Sequence, residues 1–183
     1  MILAGAVAAK STKNVTGHRN MIAPKKKLMQ LAIQEAKLAR RQGDYAVGAV
    51  LVKGNKILAV CSNRSKRDDS PIAHAETLAI MKGSKILKSR HLRDCILYTT
   101  HEPCPMCASV IVWAKLKGVV YGARYQDMKR FGEKYANHRY LWRTINIPSR
   151  EIFSKSTEKV ETVKDFMREE CIALFHNGER KAV

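Results

Sequence analysis

His74-Ala75-Glu76 and the later run Pro103-Cys104-Pro105-Met106-Cys107 hold the side chains best suited to chemistry. One imidazole and two thiolates form a three-ligand set for Zn2+, with a fourth coordination position left for water. Glu76 stands outside that set as a spare carboxylate able to carry a proton. Two other readings compete with this one. A structural zinc site would close with a fourth Cys or His, and His101, just ahead of Cys104, is the nearest candidate. A redox role for the Cys104/Cys107 pair is the other, and the upstream His-x-Glu favours zinc over it.

The elements around these residues are legible from pattern. Leu28, Leu31, Ala32, Leu38 and Ala39 share a helical face between about residues 25 and 41, and Gly43 ends that helix. Residues 46–53 and 56–61 read as two strands joined by a Gly54-Asn55 turn. Pro71 is expected to open a helix that runs to about Lys82 and stops at Gly83. Residues 95–100 form a strand, 105–116 a helix and 118–122 a strand. A final amphipathic helix is expected over 157–175, with Val160, Val163, Met167, Cys171 and Leu174 on one face. The alternation predicts an α/β fold, a mixed sheet with helices on both faces. Cys104 and His74 would then each lie at a helix start, where free N–H groups and the helix dipole favour anions.

The chain of 183 residues is long enough for one domain with a real core. Residues 1–20 read as a flexible N-terminal extension and 21–183 as a single domain. No apolar run reaches the roughly 18 residues of a membrane helix, so no membrane partner is expected. Ile2 to Ala9 is apolar but short, with no basic region ahead of it, and does not read as a secretory signal. Five cysteines without an export signal suit a reducing, cytoplasmic setting, with Cys61, Cys95 and Cys171 as inert core thiols.

Net charge is +18 and unevenly spread. Residues 1–45 hold nine Lys/Arg against two acids, and 46–150 hold nineteen against seven. Residues 151–183 hold six against seven. Such a field attracts polyanions, tRNA or other RNA among them; a solvated, lysine-rich surface is the plainer reading. Phe131, Tyr135, Tyr140 and Trp142 interleave with Lys129, Arg130, Lys134, Arg139 and Arg143. That pattern suits base stacking beside phosphates, and equally a half-buried helix. Asn63 would hydrogen-bond a base or sugar, or serve a turn. Trp113 would wall the pocket, or pack in the core. Glu102 would orient the cysteine loop, while His101, His138 and Asp127 would touch substrate or, the plainer reading for each, serve surface or structural roles.

On these motifs the chain resembles the cytidine and deoxycytidylate deaminase superfamily over about residues 25–124. The resemblance implies a three-layer α/β/α sandwich, a homodimer and hydrolytic deamination. His74, Cys104 and Cys107 would hold zinc, zinc-bound hydroxide would attack an amino-bearing ring carbon, and Glu76 would shuttle protons to the departing ammonia. Two branches are similar. Val47 to Val52, Asn63-Arg64 and Ala73-His74-Ala75-Glu76 suit either tRNA adenosine deaminases or bacterial-type guanine deaminases, with a lean to the tRNA enzymes. Cys95 to Thr100, Glu102 to Cys107 and Trp113-Ala114 look more like guanine deaminase, as does Trp142 to Ile152. Tyr125 to Glu133 replaces the Gly-rich segment of the tRNA enzymes. The implied substrate is a small base or nucleoside, guanine first. Its contacts would include Asn63, Ala75 and Trp113, with Asp127 or Glu133 as the acidic group. Adenosine in tRNA is the alternative. Gly132 to Tyr135 is similar to cytosine deaminases, and a non-catalytic, zinc-stabilised RNA-binding module is the reading from a different class.

Overall fold

Neighbouring residues on the central strands divide between two cores. Leu51, Leu97 and Val119 join one apolar cluster, while Val50, Tyr98 and Val120 join the other. Strands buried on both faces need a helical layer on each side, and the computed structural model has that arrangement. It describes residues 21–136 and 140–177; the expected N-terminal extension and His138 lie outside them.

Strands β1 (Gly48–Lys53), β2 (Lys56–Ser62), β3 (Cys95–His101), β4 (Gly118–Ala123) and β5 (Glu161–Val163) lie in the order β2-β1-β3-β4-β5. The β1–β2 and β1–β3 pairs are antiparallel, and β3–β4 and β4–β5 are parallel. The register sets Leu51 beside Leu97 and Leu97 beside Val119, so one apolar row crosses the sheet. Helix α1 (Lys26–Arg41) covers one face through Leu28, Met29, Ala32, Ile33, Ala36 and Ala39. The buried stripe is thus rotated from the expected one, with Leu31 and Leu38 half-buried at its edge. Helices α2 (Ala75–Leu87) and α3 (Pro105–Trp113) cover the other face. Each fully buried Leu or Met contributes roughly 1.5–3 kcal/mol. The mixed, three-layer α/β/α architecture expected from the sequence is present.

Two expectations fail for identifiable reasons. Helix α2 begins at Ala75, not Pro71, and passes through Gly83. Gly83 is no stop signal: a Cβ there would fall 2.2 Å from Leu51 Cδ2, so the glycine lets the helix lie close on the sheet. The long C-terminal helix is absent. Residues Glu161–Val163 instead pair with Gly118–Val120, and only Arg168–Ile172 (α6) is helical. The open edge of β4 offers unpaired backbone groups, and satisfying them outweighs the helical pattern. Gly118 makes room, since a Cβ there would lie 2.4 Å from the Glu161 carbonyl oxygen. Val163, Met167, Cys171 and Leu174 still share one core, so their spacing reported burial correctly and conformation wrongly.

Between β4 and β5 the chain forms α4 (Tyr125–Tyr135) and α5 (Ser149–Ser154). Among the described residues no helix is long and apolar enough to cross a membrane.

Candidate active site

Two helix starts meet at the end of β3. Cys104 is the N-cap of α3, its Sγ accepting from the Cys107 N–H at 3.5 Å, with Pro105 in the first turn. His74 is the N-cap of α2, and its carbonyl accepts from Thr77 Oγ1 at 2.8 Å. His74 Nδ1 lies 3.6 Å from Cys104 Sγ and 3.5 Å from Cys107 Sγ. A tetrahedral zinc with ordinary Zn–N and Zn–S lengths would set nitrogen and sulfur about 3.6 Å apart. The donor set therefore fits zinc, and all three ligand atoms lie within 4.8 Å of one another. His101 is not in this cluster. It is buried, its Nδ1 lies 2.8 Å from Thr100 Oγ1, and burial pushes its pKa down to about 3. The closed, four-ligand reading thus loses its nearest fourth ligand.

Glu76 sits beside the cluster, 3 % exposed, and its Oε2 has no hydrogen-bond partner. An orphaned buried carboxylate oxygen is costly, and it signals a polar group meant to meet something in the cavity. Burial pushes the Glu76 pKa up. Among these groups alone, the hydrogen bond with Cys107 holds the Cys104 thiol down to about 4. The same contact, together with burial, pushes Cys107 up. Burial disfavours the His74 cation, but hydrogen bonding to Cys104 and the Glu76 charge outweigh it and raise its pKa. A divalent ion would deprotonate both thiols outright.

The groups open onto a cavity of about 430 Å³. Asn63, Tyr45 and Val47 form part of its wall, and Leu141, Trp142, Arg143, Thr144 and Ile145 another part. Asn63 Nδ2 donates to Asp44 Oδ1 at 2.7 Å and to Ser65 Oγ at 2.8 Å. With its amide hydrogens committed, the Asn63 side-chain oxygen is the acceptor left over. Glu102 is also on the wall. Its carboxylate accepts from Tyr125 N at 2.7 Å, Ser149 N at 2.8 Å and Ser149 Oγ at 2.9 Å, tying the starts of α4 and α5 to the cysteine loop. Arg143 adds a second tie, donating to the carbonyls of Glu102 and Pro103, both at 3.3 Å.

Of the residues singled out from sequence, His74, Glu76, Cys104, Cys107 and Asn63 meet at this cavity. Four others do not line it. Ala75 directs its side chain into the core. Trp113 is 81 % exposed, neither pocket wall nor core, because it ends α3 on the outer side. Asp127 accepts from Arg124 N at 2.9 Å and from Arg168 Nη2 at 2.6 Å, which commits it to capping α4. Glu133 is exposed beside Lys129. The aromatics read as stacking platforms mostly pack on one another: Phe131 lies 5.2 Å from Phe175, and Trp142 5.1 Å from Phe175. Sequence reasoning missed Asp44 and Tyr45. Neither carries a local signal, since their partners Asn63 and Tyr140 are distant in sequence.

A mixed sheet under two layers of helices, with one His and two Cys at facing helix starts, defines a zinc-dependent deaminase. Residues 23–123, more than half of the chain, match the family model described as the cytidine and deoxycytidylate deaminase zinc-binding region, and the chain belongs to that family. It is 41% identical over 104 residues to guanine deaminase of Bacillus subtilis, a match covering 57% of this chain and 65% of that protein. It is 31% identical over 159 residues to the tRNA-specific adenosine deaminase of Buchnera aphidicola, covering 85% of this chain and 90% of that one. A solved structure from work on tRNA:A34 deaminases, which perform A-to-I editing at the wobble position of transfer RNA, superposes with a TM-score of 0.69. That likeness covers 82% of this chain and 100% of the other, at 25% identity.

Proposed function

We propose that this chain hydrolytically deaminates a free base or nucleoside, with guanine as the first candidate. The observation that carries the reading is the wall made by Leu141 to Ile145. The chain's own segment borders the metal cluster, and Trp142 Nε1 fastens it by donating to the His176 carbonyl at 2.8 Å. A cavity of about 430 Å³ bounded this way suits a compact ligand.

His74, Cys104 and Cys107 would hold the zinc. Zinc bound there supplies the Lewis acidity that makes water a nucleophile near neutral pH. Glu76 takes a proton at Oε2, gives it to a ring nitrogen, and later protonates the departing amine. A carbon–oxygen bond forms, the carbon–nitrogen bond breaks, and ammonia leaves. Asn63 orients the ring through its side-chain oxygen.

Adenosine deamination within tRNA is the second reading. It draws support from the +18 charge and from the length of the match to the Buchnera enzyme. A substrate panel separates the two by mass shift and ammonia release. Turnover of free guanine or guanosine is expected. Conversion of folded tRNA alone would sink the first reading.

A further inference from the structure

A second hollow, of about 620 Å³, lies on the far side of Glu102 between α4, α5 and β5. Arg124 and Arg130 come from α4 and the residue capping it, Arg150 from α5, and Lys164 and Arg168 from the segment after β5. Five basic side chains thus converge on one concavity from three stretches of chain. The two acids on its wall are already spent. Glu102 accepts three hydrogen bonds from Tyr125 and Ser149, and Asp127 is held by Arg168 and the Arg124 N–H. Arg124 is paired with Asp165, and Arg168 with Asp127. Arg130, Arg150 and Lys164 are exposed and form no ion pair among the described residues.

We propose that this hollow binds the polyphosphate group of a small ligand, such as a nucleoside di- or triphosphate. Like charges converging on a concave surface repel, and they are relieved by an anion carrying several charges of its own. Guanidinium groups offer forked donors that match phosphate oxygens. The cations come from three separate stretches of chain and line one hollow, which favours a compact polyphosphate over an extended nucleic-acid backbone. The hollow does not contain the zinc ligands, so its occupant is distinct from the base being deaminated.

Calorimetric titration of the zinc-loaded full chain with inorganic triphosphate tests the site. One ion is expected to bind per chain, with affinity that falls as salt rises. Arg130→Ala combined with Arg150→Ala should weaken binding by about tenfold or more. Both residues are exposed and unpaired, so the thermal midpoint should not move. Lys26→Ala with Lys27→Ala removes the same charge from α1, no residue of which lines the hollow, and should leave binding unchanged. Absence of binding, or equal loss in the two double variants, overturns the proposal. So does tight binding of a single-stranded RNA oligonucleotide, lost with Arg130 and Arg150, when triphosphate does not bind.

Discussion

Asp44 accepts a hydrogen bond from Asn63 Nδ2 at 2.7 Å, and this fully buried carboxylate fixes the one amide on the cavity wall. Asp44 also accepts from the backbone N–H groups of Lys66 at 3.0 Å and Arg67 at 3.2 Å. It therefore holds the whole turn that carries Asn63.

Asp44→Ala should cost about 2–4 kcal/mol of stability, because several donors lose a charged acceptor together. Asn63→Ala should cost less, about 1–2 kcal/mol, since Asp44 keeps the donors on Lys66 and Arg67, and should raise KM. Denaturant unfolding and steady-state kinetics on both variants check this. Equal stability losses would mean that Asn63 supports the fold and does not serve the substrate.

Glu76→Gln should lower kcat by about 10²–10⁴, the usual range for loss of a general acid–base group. Zinc content should stay at one per chain, since Glu76 is outside the ligand set. The thermal midpoint should hold or rise, because a buried carboxylate with one unpartnered oxygen is replaced by a neutral amide. Turnover that survives with zinc bound would refute the proton-shuttle role.

Glu102→Gln should destabilise the chain by about 2–3 kcal/mol. One amide oxygen cannot replace two carboxylate oxygens that accept from Tyr125 N, Ser149 N and Ser149 Oγ. Ser149→Ala should cost less, since two of the three bonds remain. Denaturant unfolding compares the two variants. A Glu102→Gln variant as stable as the parent would show that these bonds add nothing net.

Two buried histidines predict acid lability. Burial pushes His101 down to about 3 and His176 to about 4, so both are neutral in the folded chain. In the unfolded chain each titrates near about 6.5. Below that pH the unfolded state binds more protons, so stability falls as pH drops from about 6.5 toward about 4. Each histidine contributes up to about 1.4 kcal/mol per pH unit. Urea midpoints across that window, compared with His101→Gln and His176→Gln, measure it. Slopes that do not flatten in the variants would exclude these groups as the cause.

The metal cluster was legible because its geometry is local. Cys104 and Cys107 share one helix end, and His74 and Glu76 another, so spacing alone sets each pair. Strands β1 to β4 were legible because their residues are apolar and β-branched and bounded by turn signals. What stayed hidden depends on distant partners. Nothing near Glu161 announces that β4 has an open edge for it, and nothing near Asp127 names Arg168 as its partner. The cavity wall at Leu141 to Ile145 was hidden likewise, since its place rests on a bond from Trp142 to His176.

The three bonds to Glu102 also impose an order on synthesis. Its donors lie 23 and 47 residues further along the chain. A ribosome making this protein releases both cysteines well before it releases Ser149. Until then the carboxylate next to the cysteine loop lacks two of its three donors and stays hydrated. The hydrogen bonds that brace the ligand loop through Glu102 are therefore complete only after Ser149 has been made, when most of the chain has emerged.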